Sequence, residues 1–130
     1  MKNVILDTNA YSHLIDGDEH IFDVISTASC VYFPIFVLAE LLSGFKNGKK
    51  AKANREVLDR FISKPTVSIL NTSSETAEIF SGITTTLKKK GKLIPIHDMW
   101  IAAQTIETGS VLITYDKHFK NIPGLRMWDY

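Results

Sequence analysis

The sequence predicts an α/β fold in which helices cover both faces of a mostly parallel central sheet. Short apolar runs of strand length alternate along the chain with longer segments whose apolar residues recur at helical spacing. Strands and helices that alternate in this way build parallel sheets buried on both faces. Hydrophobic residues make up 45% of the 130 residues and charged residues 22%. That composition predicts one domain over residues 1–130 with a single core.

The N-terminal apolar run over residues 4–6 predicts a buried strand that ends at Asp7. Thr8 or Asn9 is expected to cap the helix that follows. Apolar residues at helical spacing predict a second helix over residues 19–28.

The next strand and helix meet at a proline. A strand is expected over residues 30–33, after which Pro34 opens a helix over residues 35–42 and Gly44 ends it. A polar connection then leads into a helix over residues 50–63.

The second half of the chain repeats this alternation. Ser73 or Ser74 is expected to cap a long helix that Gly91 ends, and Gly109 is expected to end a later helix. The expected elements are helices over residues 74–89 and 97–107, and strands over residues 67–70, 111–113 and 125–128.

Four acidic residues stand in or beside apolar stretches, where an unpaired carboxylate is costly. They are Asp7, Glu40, Asp98 and Asp116. Ligands of parallel sheets bind at the carboxyl ends of the strands, where Asp7 and Asp116 are expected to lie. Four carboxylates in one pocket repel, so the group must bind protons or a cation. Mg²⁺ or Mn²⁺ suits oxygen ligands and brings hydrolytic chemistry with it.

Each acid also has a plainer structural interpretation. Asp7 resembles a turn residue that bonds local backbone, and Asp98 resembles an acid favoured by a helix dipole. Glu40 lies on an apolar helix face and could pair with Lys46. Asp116 could be an ordinary loop residue. However, Thr114 lies two positions earlier, so its hydroxyl and the Asp116 carboxylate can be directed toward one place from a short loop. The metal interpretation rests on the four together.

Basic residues are concentrated in two segments, although the formal net charge is only +1. The first contains Lys46, Lys49, Lys50, Lys52 and Arg55, and the second contains Lys88, Lys89, Lys90 and Lys92. Contact with a polyanion beside a metal site would explain them, and so would two solvated helix ends. Lys49, Lys50, Lys52 and Arg55 are predicted to bind substrate phosphates.

Other chemistries find little support in the sequence. Cys30 is the only cysteine and is expected to be a small core residue. The histidines show no zinc-ligand spacing, and neither His97 nor His118 is assigned a role. The sequence has no signal-peptide features and no apolar run long enough to cross a membrane, so a cytoplasmic protein is expected.

The acids lie in four segments whose order and spacing are specific in combination. The segments read LDTNAYSHL, VLAELLSG, HDMWIAAQTIETG and LITYDKHF. Over essentially the whole chain, they resemble the PIN-domain ribonucleases, and in particular the VapC toxins of bacterial type II toxin–antitoxin pairs.

The resemblance implies a three-layer α/β/α PIN-like domain with Mg²⁺- or Mn²⁺-dependent endoribonuclease activity, directed in many VapC toxins at tRNA or rRNA. It implies metal-binding or catalytic roles for Asp7, Glu40, Asp98 and Asp116, with support from Thr114 and Asn9. Glu40 would bind a second metal or orient the attacking water. The resemblance also implies a homodimer and a small antitoxin that occupies the site.

Two other functions stay open from the sequence alone. Asp7 could be the nucleophile of an aspartyl-phosphate phosphotransfer domain, although the second Asp usual in such phosphatases is replaced by Asn9. The chain could also be a catalytically silent RNA-binding module of the same fold.

Overall fold

The computed structural model describes residues 2–130, within which there are six α-helices, four strands and one 3₁₀ helix. In chain order these are β1 (Asn3–Leu6), α1 (Thr8–Ile15), α2 (Glu19–Thr27), β2 (Cys30–Pro34), α3 (Ile35–Lys46), α4 (Ala51–Ile62), β3 (Val67–Leu70), α5 (Ser74–Lys90), α6 (Ile96–Thr108), β4 (Val111–Ile113) and the 3₁₀ helix Lys117–Asn121.

The sheet of the described chain has the order β3-β2-β1-β4, and every pairing is parallel. β1 lies between β2 and β4, with Ile5 opposite both Tyr32 and Leu112. Because the strands run in one direction, the residues that follow β1 and β4 emerge at the same edge. This register places Asp7 beside the segment that follows Ile113.

Helices flank the sheet, so the predicted three-layer α/β/α architecture with a mostly parallel sheet is confirmed. The central strand β1 is fully apolar at Val4, Ile5 and Leu6, and none of these residues is exposed. A strand buried on both faces must read as a continuous apolar run, as this one does. Among the helices, α5 packs on α6, and α3 packs on both α1 and α4. None of the helices in residues 2–130 is long and apolar enough to span a bilayer.

Several helix ends form where the sequence predicts them. Ser73 caps α5 in a reciprocal capping box with Thr76. Gly91 and Gly109 follow α5 and α6 with φ of 64° at each, a left-handed conformation that glycine adopts without strain.

Three predictions about the elements are wrong in detail. The cap of α1 is Asp7 instead of Thr8 or Asn9, because the Asp7 carboxylate accepts a hydrogen bond from the Ala10 N–H. Gly44 does not end α3, which continues to Lys46 while Phe45 packs against the core.

The predicted fifth strand over residues 125–128 is reduced to a single bridge between Leu112 and Met127. The two hydrogen bonds of this bridge run from Leu112 N–H to Arg126 O and from Trp128 N–H to Leu112 O, at 2.8 and 3.0 Å. β4 itself has only three residues, which leaves little length for further pairing.

Candidate active site

The fold brings the four predicted acids to one cleft of about 320 Å³ at the carboxyl edge of the sheet. Asp7 follows β1, Glu40 lies on α3, Asp98 lies in the first turn of α6, and Asp116 precedes the 3₁₀ helix. The other lining residues are Thr8, Asn9, Pro95, Ile96 and His97. The cleft is therefore built from four separate segments of the chain.

Asp7 is the most buried of the four acids, with 5% of its surface exposed. Its Oδ1 accepts a hydrogen bond from the Ala10 N–H at 2.8 Å, and its Oδ2 accepts one from the Thr114 hydroxyl. Burial raises the pKa of the Asp7 carboxyl, the hydrogen bonds from Thr114 and Ala10 oppose that rise, and the charges of Asp98 and Asp116 add to it. Asp7 is thus a fixed carboxylate in an environment that disfavours its charge.

Thr114 links Asp7 to the loop that carries Asp116. Its side chain is fully buried, and its Oγ1 accepts the Asp116 N–H at 3.0 Å while its hydroxyl proton points to Asp7. The Thr114 carbonyl in turn accepts the Trp128 indole N–H at 2.7 Å. These bonds fix the direction of the loop as it leaves β4. Thr114 therefore contacts the Asp7 carboxylate through its hydroxyl and the backbone of Asp116 through its Oγ1.

Asp98 lies beside His118, a residue to which the sequence assigns no role. Asp98 Oδ2 is 3.0 Å from His118 Nε2. Burial raises the pKa of the Asp98 carboxyl and His118 opposes the rise, while the charges of Asp116 and Glu40 reinforce it. Both Asp7 and Asp98 therefore hold protons more firmly than ordinary aspartates do when no cation is near.

His118 is one of two histidines at this site to which the sequence interpretation assigned no role. Its Nδ1 lies 3.1 Å from Asp116 Oδ1, so the ring stands between the carboxylates of Asp98 and Asp116. The sequence feature that could have indicated His118 is its place two residues after Asp116. Asp116 caps the 3₁₀ helix and accepts the His118 N–H at 3.2 Å, which holds the two residues on one side of a tight turn. Zinc-ligand spacing could not reveal a histidine that joins carboxylates instead of other histidines.

Glu40 is less buried than the sequence suggests, because 46% of its side chain is exposed. The alternative pairing with Lys46 does not occur. Its Oε1 instead accepts the Thr8 hydroxyl at 2.7 Å and lies 3.9 Å from His97 Nδ1. His97, to which the sequence assigns no role, thus lies in the cleft beside Glu40.

The basic segments lie elsewhere on the surface. Lys49 and Lys50 are exposed just before α4, and Lys52 is exposed in its first turn. Arg55 pairs with Asp59 one turn later at 3.1 Å, with both side chains more than half exposed. The described residues that line the cleft include Asn9 but no lysine or arginine.

The donor set fits a divalent cation. Within residues 2–130 no lysine or arginine forms an ion pair with any of the four acids. Asp98, Asp116 and His118 each offer one ligand atom, and these atoms lie within 4.8 Å of one another. Buried carboxylates without a fixed cationic partner require a proton or a bound cation, and oxygen-rich groups suit Mg²⁺ or Mn²⁺.

Comparison with known proteins gives a consistent result. The family model for the PIN domain matches residues 4–125. A Rickettsia felis protein named Ribonuclease VapC2 is 30% identical over 132 residues, which cover 96% of this chain and 97% of that protein.

Two solved structures share the fold over nearly their whole length. The chain is similar to the R. felis VapBC2 complex bound to a promoter DNA fragment, with a TM-score of 0.85, 28% identity and 97% coverage of each chain. It is also similar to DNA-bound VapBC from Salmonella typhimurium, with a TM-score of 0.83, 26% identity, and coverage of 99% of this chain and 98% of that one.

Proposed function

The chain belongs to the PIN-domain family, and from this premise we propose that it is a metal-dependent endoribonuclease, the toxin of a toxin–antitoxin pair, that hydrolyses phosphodiester bonds in RNA. The observation that carries the proposal is the convergence of Asp7, Glu40, Asp98 and Asp116 on one cleft without a lysine or arginine partner in residues 2–130. The name of the R. felis relative supports ribonuclease activity.

The proposed cofactor is Mg²⁺ or Mn²⁺, held by Asp7, Asp98 and Asp116. When bound, such an ion supplies a more acidic water and offsets charge on the phosphoryl oxygens. Asp7 is oriented for this role by Thr114 and by the first turn of α1, so its position is fixed before any ligand arrives.

Glu40 is placed to orient the attacking water. It is half exposed in the cleft, and the Thr8 hydroxyl holds its Oε1 at 2.7 Å. Its second oxygen would accept a hydrogen bond from the attacking water and align it with the phosphorus. Asn9, exposed at the mouth of the cleft, would contact the substrate, as would the exposed cations of the first basic segment.

The proposed substrate is a structured RNA, and tRNA and rRNA are the classes to test first. The proposed location of the protein is the cytoplasm. The proposed partner is a small antitoxin, because the R. felis and Salmonella relatives were crystallised as VapBC complexes. A homodimer of this chain is part of the same proposal.

The phosphotransfer alternative loses support from the structure. A nucleophilic aspartate must be free to attack phosphorus in line, yet Asp7 is 5% exposed and both of its oxygens accept hydrogen bonds within the protein, which still leaves lone pairs for a cation at the cleft. Among residues 2–130, no contact at the cleft favours the alternative of a catalytically silent RNA-binding module over the nuclease.

Incubation of the purified chain with tRNA and rRNA, followed by mapping of the new 5′ ends, tests the proposal. Discrete cleavage is expected from the wild-type protein and not from Asp98→Asn. Asp23→Asn is the matched control, because Asp23 is an exposed acid on α2 that does not line this cleft. Cleavage by Asp98→Asn at the wild-type rate would place the activity outside this site.

A further inference from the structure

His118 contacts two of the acids that line the cleft, Asp98 and Asp116. Both ring nitrogens face carboxylates, with Nε2 at 3.0 Å from Asp98 Oδ2 and Nδ1 at 3.1 Å from Asp116 Oδ1. Nε2 is buried from solvent, and it makes no aligned hydrogen bond with any group of residues 2–130. A buried nitrogen without an aligned partner requires an explanation, since desolvation without a bond is costly.

The position of the ring is fixed by its own turn. The His118 N–H is bonded to Asp116 Oδ1 at 3.2 Å, and the next residue, Phe119, is fully buried. The rings of His118 and Phe119 lie 4.8 Å apart. The imidazole is therefore held toward the two carboxylates by the backbone of the 3₁₀ helix and by a core anchor.

We propose that His118 is a direct ligand of the catalytic cation together with Asp98 and Asp116, and that this nitrogen ligand makes the site select Mn²⁺ over Mg²⁺. The inference rests on the proposed metal-dependent function and names the ligand that would set its metal preference. One nitrogen and two carboxylate oxygens are the atoms that cluster within 4.8 Å of one another. Nε2, which makes no aligned hydrogen bond within residues 2–130, then binds the cation that Asp98 shares.

The expected selectivity follows from ligand chemistry. Mg²⁺ prefers oxygen ligands, demands near-ideal octahedral geometry and gives up its waters reluctantly. Imidazole nitrogen is a better ligand for first-row transition metals, whose affinities rise from Mn²⁺ onward along the series. Replacing one oxygen ligand by an imidazole therefore favours Mn²⁺ more than Mg²⁺.

Electron spin echo measurements on the Mn²⁺-loaded protein test the inference without relying on activity. A nitrogen directly bound to Mn²⁺ modulates the echo, and the modulation should change when the histidines are labelled with the heavy nitrogen isotope. The modulation should disappear in His118→Asn. It should persist in His97→Asn, the matched control, since His97 lies in the same cleft 3.9 Å from Glu40.

Calorimetry supplies the second measurement. We expect His118→Asn to weaken Mn²⁺ binding by about tenfold or more, with a much smaller change for Mg²⁺. His118→Gln provides a second variant if the first does not fold, and the isotope test on wild type needs no variant.

The outcomes separate this inference from the proposed function. Mn²⁺ that binds wild type without nitrogen modulation would overturn the role of His118 and leave the ribonuclease standing. Equal losses of Mn²⁺ and Mg²⁺ affinity in His118→Asn would overturn the selectivity. A wild-type protein that binds neither ion would overturn the metal site itself, and the inference with it.

Discussion

The hydroxyl of Thr114 donates a hydrogen bond to the carboxylate of Asp7, joining residues 107 positions apart in the sequence. The bond ties the end of β4 to the end of β1, the two neighbouring strands whose C-terminal residues carry the cleft. Thr114 Oγ1 also accepts the Asp116 N–H at 3.0 Å. One buried hydroxyl therefore sets the relative placement of two of the proposed metal ligands.

Removing that hydroxyl should reduce both stability and activity. Thr114→Val keeps the shape but leaves the Asp7 carboxylate and the Asp116 N–H without their partner, at a cost of about 1–3 kcal/mol. Thr114→Ser keeps the hydroxyl and should retain most of both properties. Urea denaturation and RNA cleavage rates measure the effects. Equal behaviour of the Val and Ser variants would show that the hydroxyl does not organise the site.

The metal-free protein should lose stability as the pH rises through the acidic range. Burial raises the pKa of Asp7 and Asp98 above the ordinary value of 3.8, so the folded state holds their protons more firmly than the unfolded state. Their contribution to the stability of the folded state is complete below the ordinary pKa, and it is lost as the pH rises through the raised pKa values. Asp98→Asn should reduce this loss and should raise the melting temperature at neutral pH in EDTA.

The pH dependence of stability must be compared between variants, because other groups of the protein stabilise the folded state as the pH rises. The Tyr115 hydroxyl bonds to Asp18 and lowers the pKa of that carboxyl, which favours stability at higher pH. The difference between wild type and Asp98→Asn isolates Asp98, and Asp23→Asn shows the effect of losing one exposed charge. A destabilised Asp98→Asn at neutral pH would instead identify Asp98 as a structural partner of His118.

The sequence predicts most of the fold because its signals are local. Apolar runs and the caps Ser73, Gly91 and Gly109 place the strands and helices within a few residues of where they lie. The prediction that Gly44 ends α3 is wrong. A glycine ends a helix when its backbone turns left-handed, whereas here α3 continues to Lys46 and Phe45 packs against the core. The segment over residues 125–128 has strand composition, but a three-residue neighbour limits its pairing.

The gathering of the four acids at one cleft follows from the sequence, because their places at strand ends and helix starts converge in a parallel sheet. The contacts among them do not follow. That Glu40 is held by Thr8 instead of Lys46, and that His118 stands between two carboxylates, depends on side-chain directions across separate elements. Only three-dimensional packing determines those directions.

Charge reversal before α4 should weaken RNA binding and leave turnover nearly unchanged. Lys49 and Lys50 are exposed at a helix N-terminus without a side-chain cap, where backbone N–H groups also attract phosphate. Lys49→Glu with Lys50→Glu should raise KM and reduce the salt slope by about one for each phosphate that the chain no longer neutralises. Lys88→Glu with Lys89→Glu makes the same charge change at the C-terminal end of α5. If both double variants changed KM and the salt slope equally, Lys49 and Lys50 would have no specific role in RNA binding.

The proposed antitoxin should compete with the metal for the carboxylates. A C-terminal arginine of the partner can pair bidentately with carboxylates and stays charged, so it suits a cleft without its own lysine or arginine within residues 2–130. Its affinity for the chain should fall as Mg²⁺ is raised, as measured by calorimetry. An antitoxin that binds the Asp98→Asn, Asp116→Asn double variant as tightly as wild type would inhibit from another surface.

The rate of RNA cleavage as a function of free divalent metal tests the central claim most directly. The protein is first stripped with EDTA, and Mg²⁺ or Mn²⁺ is then titrated into wild type and Asp98→Asn. We expect no cleavage in EDTA, recovery of the wild type with either ion, and a variant slower by about a hundredfold or more at saturating metal. Equal cleavage by the wild type with and without EDTA would contradict the metal-dependent mechanism.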